Sequence, residues 1–165
     1  MKLNQSKNNA NIYASRQLLG EELKDFLFSN EVISLLPHCG WLDGGCRSLM
    51  KALQLWLGEE NAQPFQLVKD ITQEHSEHAL VKVGKYFIDG DGISTYTEVY
   101  TRWFIEEGFS KVFIKPFNPT TEPPHITSSN VEEPYYIEDE SINKLVTLLD
   151  NHFQKELLLQ LLQSD

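Results

Sequence analysis

The chain has 165 residues, the length of one ordinary domain with no room for a second large one. Hydrophobic residues at 41% are enough to build a core without metal or disulfide staples, which excludes wholesale disorder. Fourteen Lys and Arg against 24 Asp and Glu leave a formal net charge of −10, which repels nucleic acid and anionic lipid and makes basic peptides or neutral substrates the better partners.

Residues 1–16 read as a polar tail, with Asn4, Gln5, Asn8, Asn9 and Asn11 and no apolar run of signal-peptide length, so the expected compartment is the cytoplasm. Residues 17–165 read as one domain. From Gln17 to Leu36, apolar residues such as Leu19, Leu23, Phe26 and Leu27 recur at three- and four-residue spacings, which predicts one or two amphipathic helices. A turn-rich stretch, His38 to Gly45, leads into a strongly apolar helix from Cys46 that Gly58 terminates. The pattern then changes to short β-type runs at Phe65 to Ile71, His78 to Val83, Tyr86 to Asp89 and Lys111 to Phe117, an antiparallel sheet. Gly84 suits the first central position of a two-residue type II′ turn between Val83 and Tyr86. Thr95 to Glu107 returns to helical spacing, closed by Gly108. Residues 118–134 hold Pro119, Pro123, Pro124 and Pro134 and read as an extended linker, before a terminal helix or helix pair from Ile137 to Leu162. Its leucines are interrupted by Asp150, Lys155 and Glu156, so no membrane span is expected; docking on the core is the simplest role for this helix, and pairing of two copies through it is the other one.

The chemistry concentrates at Cys46. A thiol in the first turn of a helix faces unpaired N–H groups and the positive end of the backbone dipole, both of which favour thiolate. Gly44 and Gly45 would let a substrate carbonyl approach closely, with the Cys46 N–H as oxyanion donor. Nucleophilic catalysis also needs a base and a group that orients it. On the strand that starts at His78, strict alternation puts His78, Leu80 and Lys82 on one face. If Val83 pairs with Tyr86, then Leu80 faces Asp89 and His78 faces Asp91. Opposite residues lie about 4.5–5.5 Å apart at Cβ, so an ideal register favours Asp91 as the orienter, and a longer turn or a bulge favours Asp89.

Gly-Gly-Cys at a helix start, His at a strand start and Tyr-Phe-Ile-Asp on the next strand together resemble the papain-like superfamily of cysteine enzymes, especially compact or permuted relatives of NlpC-type peptidases and the transglutaminase-like group. The resemblance spans about Gly44 to Gly92. It implies an α+β papain-like fold, with the cysteine helix packed on a small antiparallel sheet and further helices at the periphery. It makes Cys46 the nucleophile, His78 the base and Asp89 the orienter, acting on a peptide, isopeptide or amide bond of a peptide or protein substrate. The chain departs from papain itself just upstream, where Gly40-Trp41-Leu42-Asp43 offers no Gln as a second oxyanion donor.

Other readings of the same residues are plainer. Cys39 marks no helix start and reads as packing. His38, Cys39, Cys46, His75 and His78 could be zinc ligands by type, but six residues separate the cysteines where zinc knuckles have two to four. Asp89-Gly90-Asp91-Gly92 hints at calcium, yet Tyr100 stands where an EF-hand needs glutamate. No metal or other cofactor is therefore expected. The alternative to an enzyme is a non-catalytic binding or regulatory module on the same fold.

Overall fold

The computed structural model describes residues 2–164, with side chains from Ile12 onward. Helix α1 runs over Lys2–Leu27 and α2 over Asn30–Ile33, followed by α3 at Cys46–Leu57. Strands β1 (Gln63–Val68), β2 (His78–Val83), β3 (Tyr86–Asp89) and β4 (Gly92–Thr95) come next, then α4 (Tyr96–Thr101) with a π-helical extension at Arg102–Glu106. The chain continues through β5 (Phe113–Pro116), a two-residue-per-strand hairpin of β6 (His125–Ile126) and β7 (Val131–Glu132), and closes with α5 (Asp139–His152) and α6 (Lys155–Gln163). The class is α+β.

Five antiparallel strands form one sheet in the order β4-β3-β2-β1-β5. Alternation along β2 and β3 sorts the side chains to two faces. Ala79, Val81, Val83, Tyr86 and Ile88 join the main core with Leu49, Leu53, Trp56 and Leu57 of α3 and Leu145, Leu149, Leu158 and Leu162 of the terminal helices. Leu80 and Phe87 face the other way, under Val99 of α4 and Trp103 of the π turn. The β2–β3 hairpin has the expected two-residue loop, with Val83 opposite Tyr86, Gly84 at φ 58° and Lys85 not at positive φ, the sign pattern of a type II′ turn.

Three segments differ from the sequence reading. Residues 2–16 belong to a helix rather than a polar tail, and its stretch near Arg16 is fixed from far along the chain. The buried Arg16 guanidinium donates to Ile93 O at 2.7 Å and to both carboxylate oxygens of Glu98. Composition alone hides this, because the anchoring partners lie more than 70 residues away. Strand β4 follows β3 through a tight Gly90–Asp91 turn, a strand of four residues that the sequence pattern did not mark. Residues 118–134 are no free linker. They run as a strap held by Glu122, whose side chain is fully enclosed and accepts from Arg47 Nε (2.7 Å), Arg47 Nη2 (2.6 Å) and the Ser76 N–H (2.8 Å).

The helix pair at the C-terminal end docks as expected, with Leu158 and Leu162 buried and Leu157 exposed. No described helix is long and apolar enough to cross a membrane.

Candidate active site

Helix α3 begins at Cys46 because the preceding loop closes tightly on itself. Gly45 N donates to Gly40 O at 2.9 Å, and Gly40 N donates to Asp43 O at 3.0 Å. Gly44 sits at φ 88°, a left-handed conformation that favours glycine. A side chain at Gly45 would put its Cβ 2.7 Å from Gly40 O and against Leu36. The two glycines thus have a structural task, and only Gly44 lines a surface cleft. Gly45 is buried against the loop, so of the two expected substrate-approach residues only Gly44 is placed for it. As first-turn amides, the Cys46 and Arg47 N–H groups have no acceptor within the helix.

His78 opens β2 and is fully buried. Its Nε2 lies 2.9 Å from Asp89 Oδ2 at the end of β3. Asp89 Oδ1 accepts from the Asp91 N–H at 3.0 Å, and Arg102 Nη2 donates to Oδ2 at 2.6 Å. Asp91, the partner that an ideal register favours, turns away to Lys24 (2.8 Å) and Arg102 Nε (3.1 Å). The reason is that β3 ends at Asp89 and reverses at once into β4, so no strand residue remains to stand opposite His78.

Above this pair the helix changes its winding. Glu107 N bonds back five residues to Arg102 O at 3.2 Å, the mark of a π turn. That turn points Arg102 at the two aspartates and lays the Trp103 ring over His78, with centroids 4.8 Å apart. The start of the same helix is fixed by a capping box between Thr95 and Glu98.

The thiol and the imidazole act on each other directly. Burial pushes the Cys46 thiol up, but a hydrogen bond and the charge of His78, the Ala79 backbone N–H and Arg47 together bring it below the ordinary value of 9.0. Burial pushes His78 down, and hydrogen bonds and charge from Asp89 and Cys46 outweigh it and push it up to about 9. Asp89 is held below the usual carboxylate range: burial opposes this, while the His78 hydrogen bond and the Arg102 charge win. His78 Nδ1 makes no hydrogen bond of conventional geometry within the protein, and the Cys46 sulfur is near enough for its charge to bear on the ring. The arrangement favours an imidazolium–thiolate pair with an ionised carboxylate behind it. Cys46 is 3% exposed, so the sulfur sits beneath the surface.

Beside it opens a cleft of about 300 Å³, bounded by Gly44, Arg47, Ser76 and Glu77 on the body, by Glu133 on the strap and by Tyr135 just after it. A second hollow of about 450 Å³ includes Asp43, Glu77, Arg102 and Trp103. The two share Glu77, and Asp43 of one is adjacent in the chain to Gly44 of the other. They flank the segment that carries Cys46.

No family model, curated protein or solved structure matches this chain. The site is therefore read from its own geometry. Cys46, His78 and Asp89 meet; Asp91 supports Asp89 through its amide. Cys39 packs against Gly44, and burial followed by the charge of Asp43 pushes its thiol up. Among the described residues, no group of three or more His, Cys, Asp or Glu side chains is disposed to hold a metal ion. Sequence reasoning missed Arg102, Trp103 and the Arg47–Glu122 pair. Arg47 could have been suspected as the neighbour of Cys46, but nothing local marks Glu122, which arrives from 75 residues away.

Proposed function

We propose that this protein is a papain-like thiol hydrolase or acyl transferase acting on a peptide, isopeptide or side-chain amide bond. The observation that carries this reading is the buried Cys46–His78–Asp89 series at a helix N-terminus, with the thiol lowered and the imidazole raised. In the first step the Cys46 thiolate attacks the substrate carbonyl carbon, and the new oxyanion is received by the first-turn N–H groups of α3. The His78 imidazolium then protonates the departing amine as the C–N bond breaks, leaving a thioester on Cys46. Neutral His78 next takes a proton from water or an acceptor amine, which attacks the thioester carbonyl; the C–S bond breaks, the acyl product leaves, and the thiolate–imidazolium pair is restored. Asp89 keeps Nε2 engaged throughout, so that Nδ1 is the nitrogen left for the sulfur.

Incubation with a mixed peptide library, followed by mass spectrometry, tests the reading. Cleavage or acyl exchange should appear with the native chain, disappear in Cys46→Ala and His78→Ala, and survive in Cys39→Ser. Unchanged peptides, together with a Cys46 thiol that reacts with chloroacetamide no faster than free cysteine, would overturn it. The near-closure of Cys46 and His78 to solvent favours a second reading, a binding module that retains the fold without turnover. In that case the triad variants alter stability but no covalent chemistry.

A further inference from the structure

The cleft next to Cys46 carries a charge pattern and an unfilled polar site that together specify what enters it. Arg47 is its one Lys or Arg, set against Glu77, Glu122, Glu132 and Glu133. Arg47 is neutralised by Glu122 at 2.6 Å, and Glu77 by Lys69 at 3.2 Å. Glu132 and Glu133 have no cationic partner among the described residues and stand exposed on the strap. Burial and the neighbouring His125 hold His75 below the ordinary imidazole value. The rings of these two histidines stack 4.1 Å apart on the cleft wall.

A second observation points independently to a ligand. Ser76 also lines this cleft, is only 5% exposed, and its hydroxyl has no partner in the protein. Buried hydroxyls are ordinarily satisfied; this one is unpartnered and closed to solvent, and rotation about its Cα–Cβ bond is what would turn it to a donor that arrives in the cleft. Pro123, Pro134 and Tyr135 supply apolar walls. Apolar walls with carboxylates at the rim suit a long side chain that packs its methylenes and keeps its charge in contact with water.

We propose that this cleft binds a lysine or arginine side chain next to the bond presented to Cys46, so that the substrates are cationic peptides or proteins. The proposal rests on the thiol-enzyme reading for its place in a reaction, but the binding preference stands on the cleft alone. The aliphatic stem lies against Pro134 and Tyr135, the charged head meets Glu132 and Glu133, and Ser76 Oγ accepts one of its N–H groups. The second hollow continues the same preference, since Asp43 and Glu107 remain there after Lys69 and Arg102 are counted against Glu77 and Asp91.

The test uses the Cys46→Ala chain, so that no turnover is needed, with end-blocked, fluorescein-labelled tetralysine, tetraalanine and tetraglutamate followed by anisotropy. Tetralysine should bind and the other two should not. Glu132→Gln with Glu133→Gln should weaken tetralysine binding about tenfold, whereas Glu21→Gln with Glu31→Gln, which removes two charges from another acidic hollow, should change it less than about twofold. All four positions are exposed, so the variants keep the fold. Equal weakening by both pairs would reduce the effect to net charge and overturn the proposal, as would absent binding or equal binding of tetraglutamate. Failure of the thiol reading shows separately, as an inert Cys46 in the native chain.

Discussion

His78 Nε2 lies 2.9 Å from Asp89 Oδ2, and the same carboxylate oxygen receives Arg102 Nη2 at 2.6 Å, so one buried aspartate is shared between an imidazole and a guanidinium. Such a carboxylate is anchored from two sides. Replacing Asp89 with Asn keeps an acceptor of the same shape and removes its charge. His78, pushed up to about 9 in the native protein, should then titrate at least about one unit lower, read by NMR of the imidazole protons.

The pH dependence of stability separates the thiol from the carboxylate. His78 is raised in the folded state, so its contribution is complete below the unfolded value of 6.5 and is lost as pH rises through about 9. Cys46 is lowered, so its contribution has the opposite sign, complete above the unfolded value of 9.0 and lost as pH falls through the folded one. Above both 6.5 and the folded thiol value, and up to about 9, the folded pair holds one proton, as the unfolded pair does, and the two effects cancel. Cys46→Ala removes one of them. Urea denaturation should show little pH dependence from this pair in the native chain over that window, and a fall of up to about 1.4 kcal/mol per pH unit above 6.5 in Cys46→Ala, ending sooner than the native His78 value would allow because the variant also loses the part of that raise that the sulfur supplies.

Against burial, the His78 hydrogen bond and then the Arg102 charge hold Asp89 below its ordinary value of 3.8, so Arg102 contributes to a stability present above that pH and lost as pH falls through the folded value. Arg102→Ala should therefore cost about 2 kcal/mol at neutral pH, through the lost contacts to Asp89 and Asp91. On acidification below about pH 4 the gap between native and variant protein should narrow. A gap that stays constant with pH would mean that Arg102 acts through packing alone.

Glu122 is the point at which the strap joins the body. Glu122→Ala leaves Arg47 without its carboxylate and the Ser76 N–H without its acceptor, and should lower stability by about 3 kcal/mol in urea titrations. Hydrogen exchange should speed up along residues 118–136 more than in the five-stranded sheet.

Much of this arrangement is legible from local pattern. The β2 and β3 boundaries follow from alternation and the Gly84 turn, and the α3 start follows from a glycine pair before an apolar run. Cys46, His78 and Asp89 are reached because each sits at the end of an element, where sequence signals are strongest. Pairing rules favoured Asp91 over Asp89, because they do not see that β3 reverses directly into β4. Arg16, Arg102 and Glu122 were hidden for a different reason. Each is fixed by ionic partners on another element, and charge pairing leaves no periodic trace in a sequence.

Ultraviolet absorbance of the thiolate in a Cys39→Ser chain, followed against pH, reads the protonation of Cys46 without requiring a substrate. An ionisation well below 9.0 that returns toward the ordinary thiol value in His78→Gln is the expected result. A Cys46 that ionises at or above 9.0 in the folded protein, or that is indifferent to His78, would contradict the account.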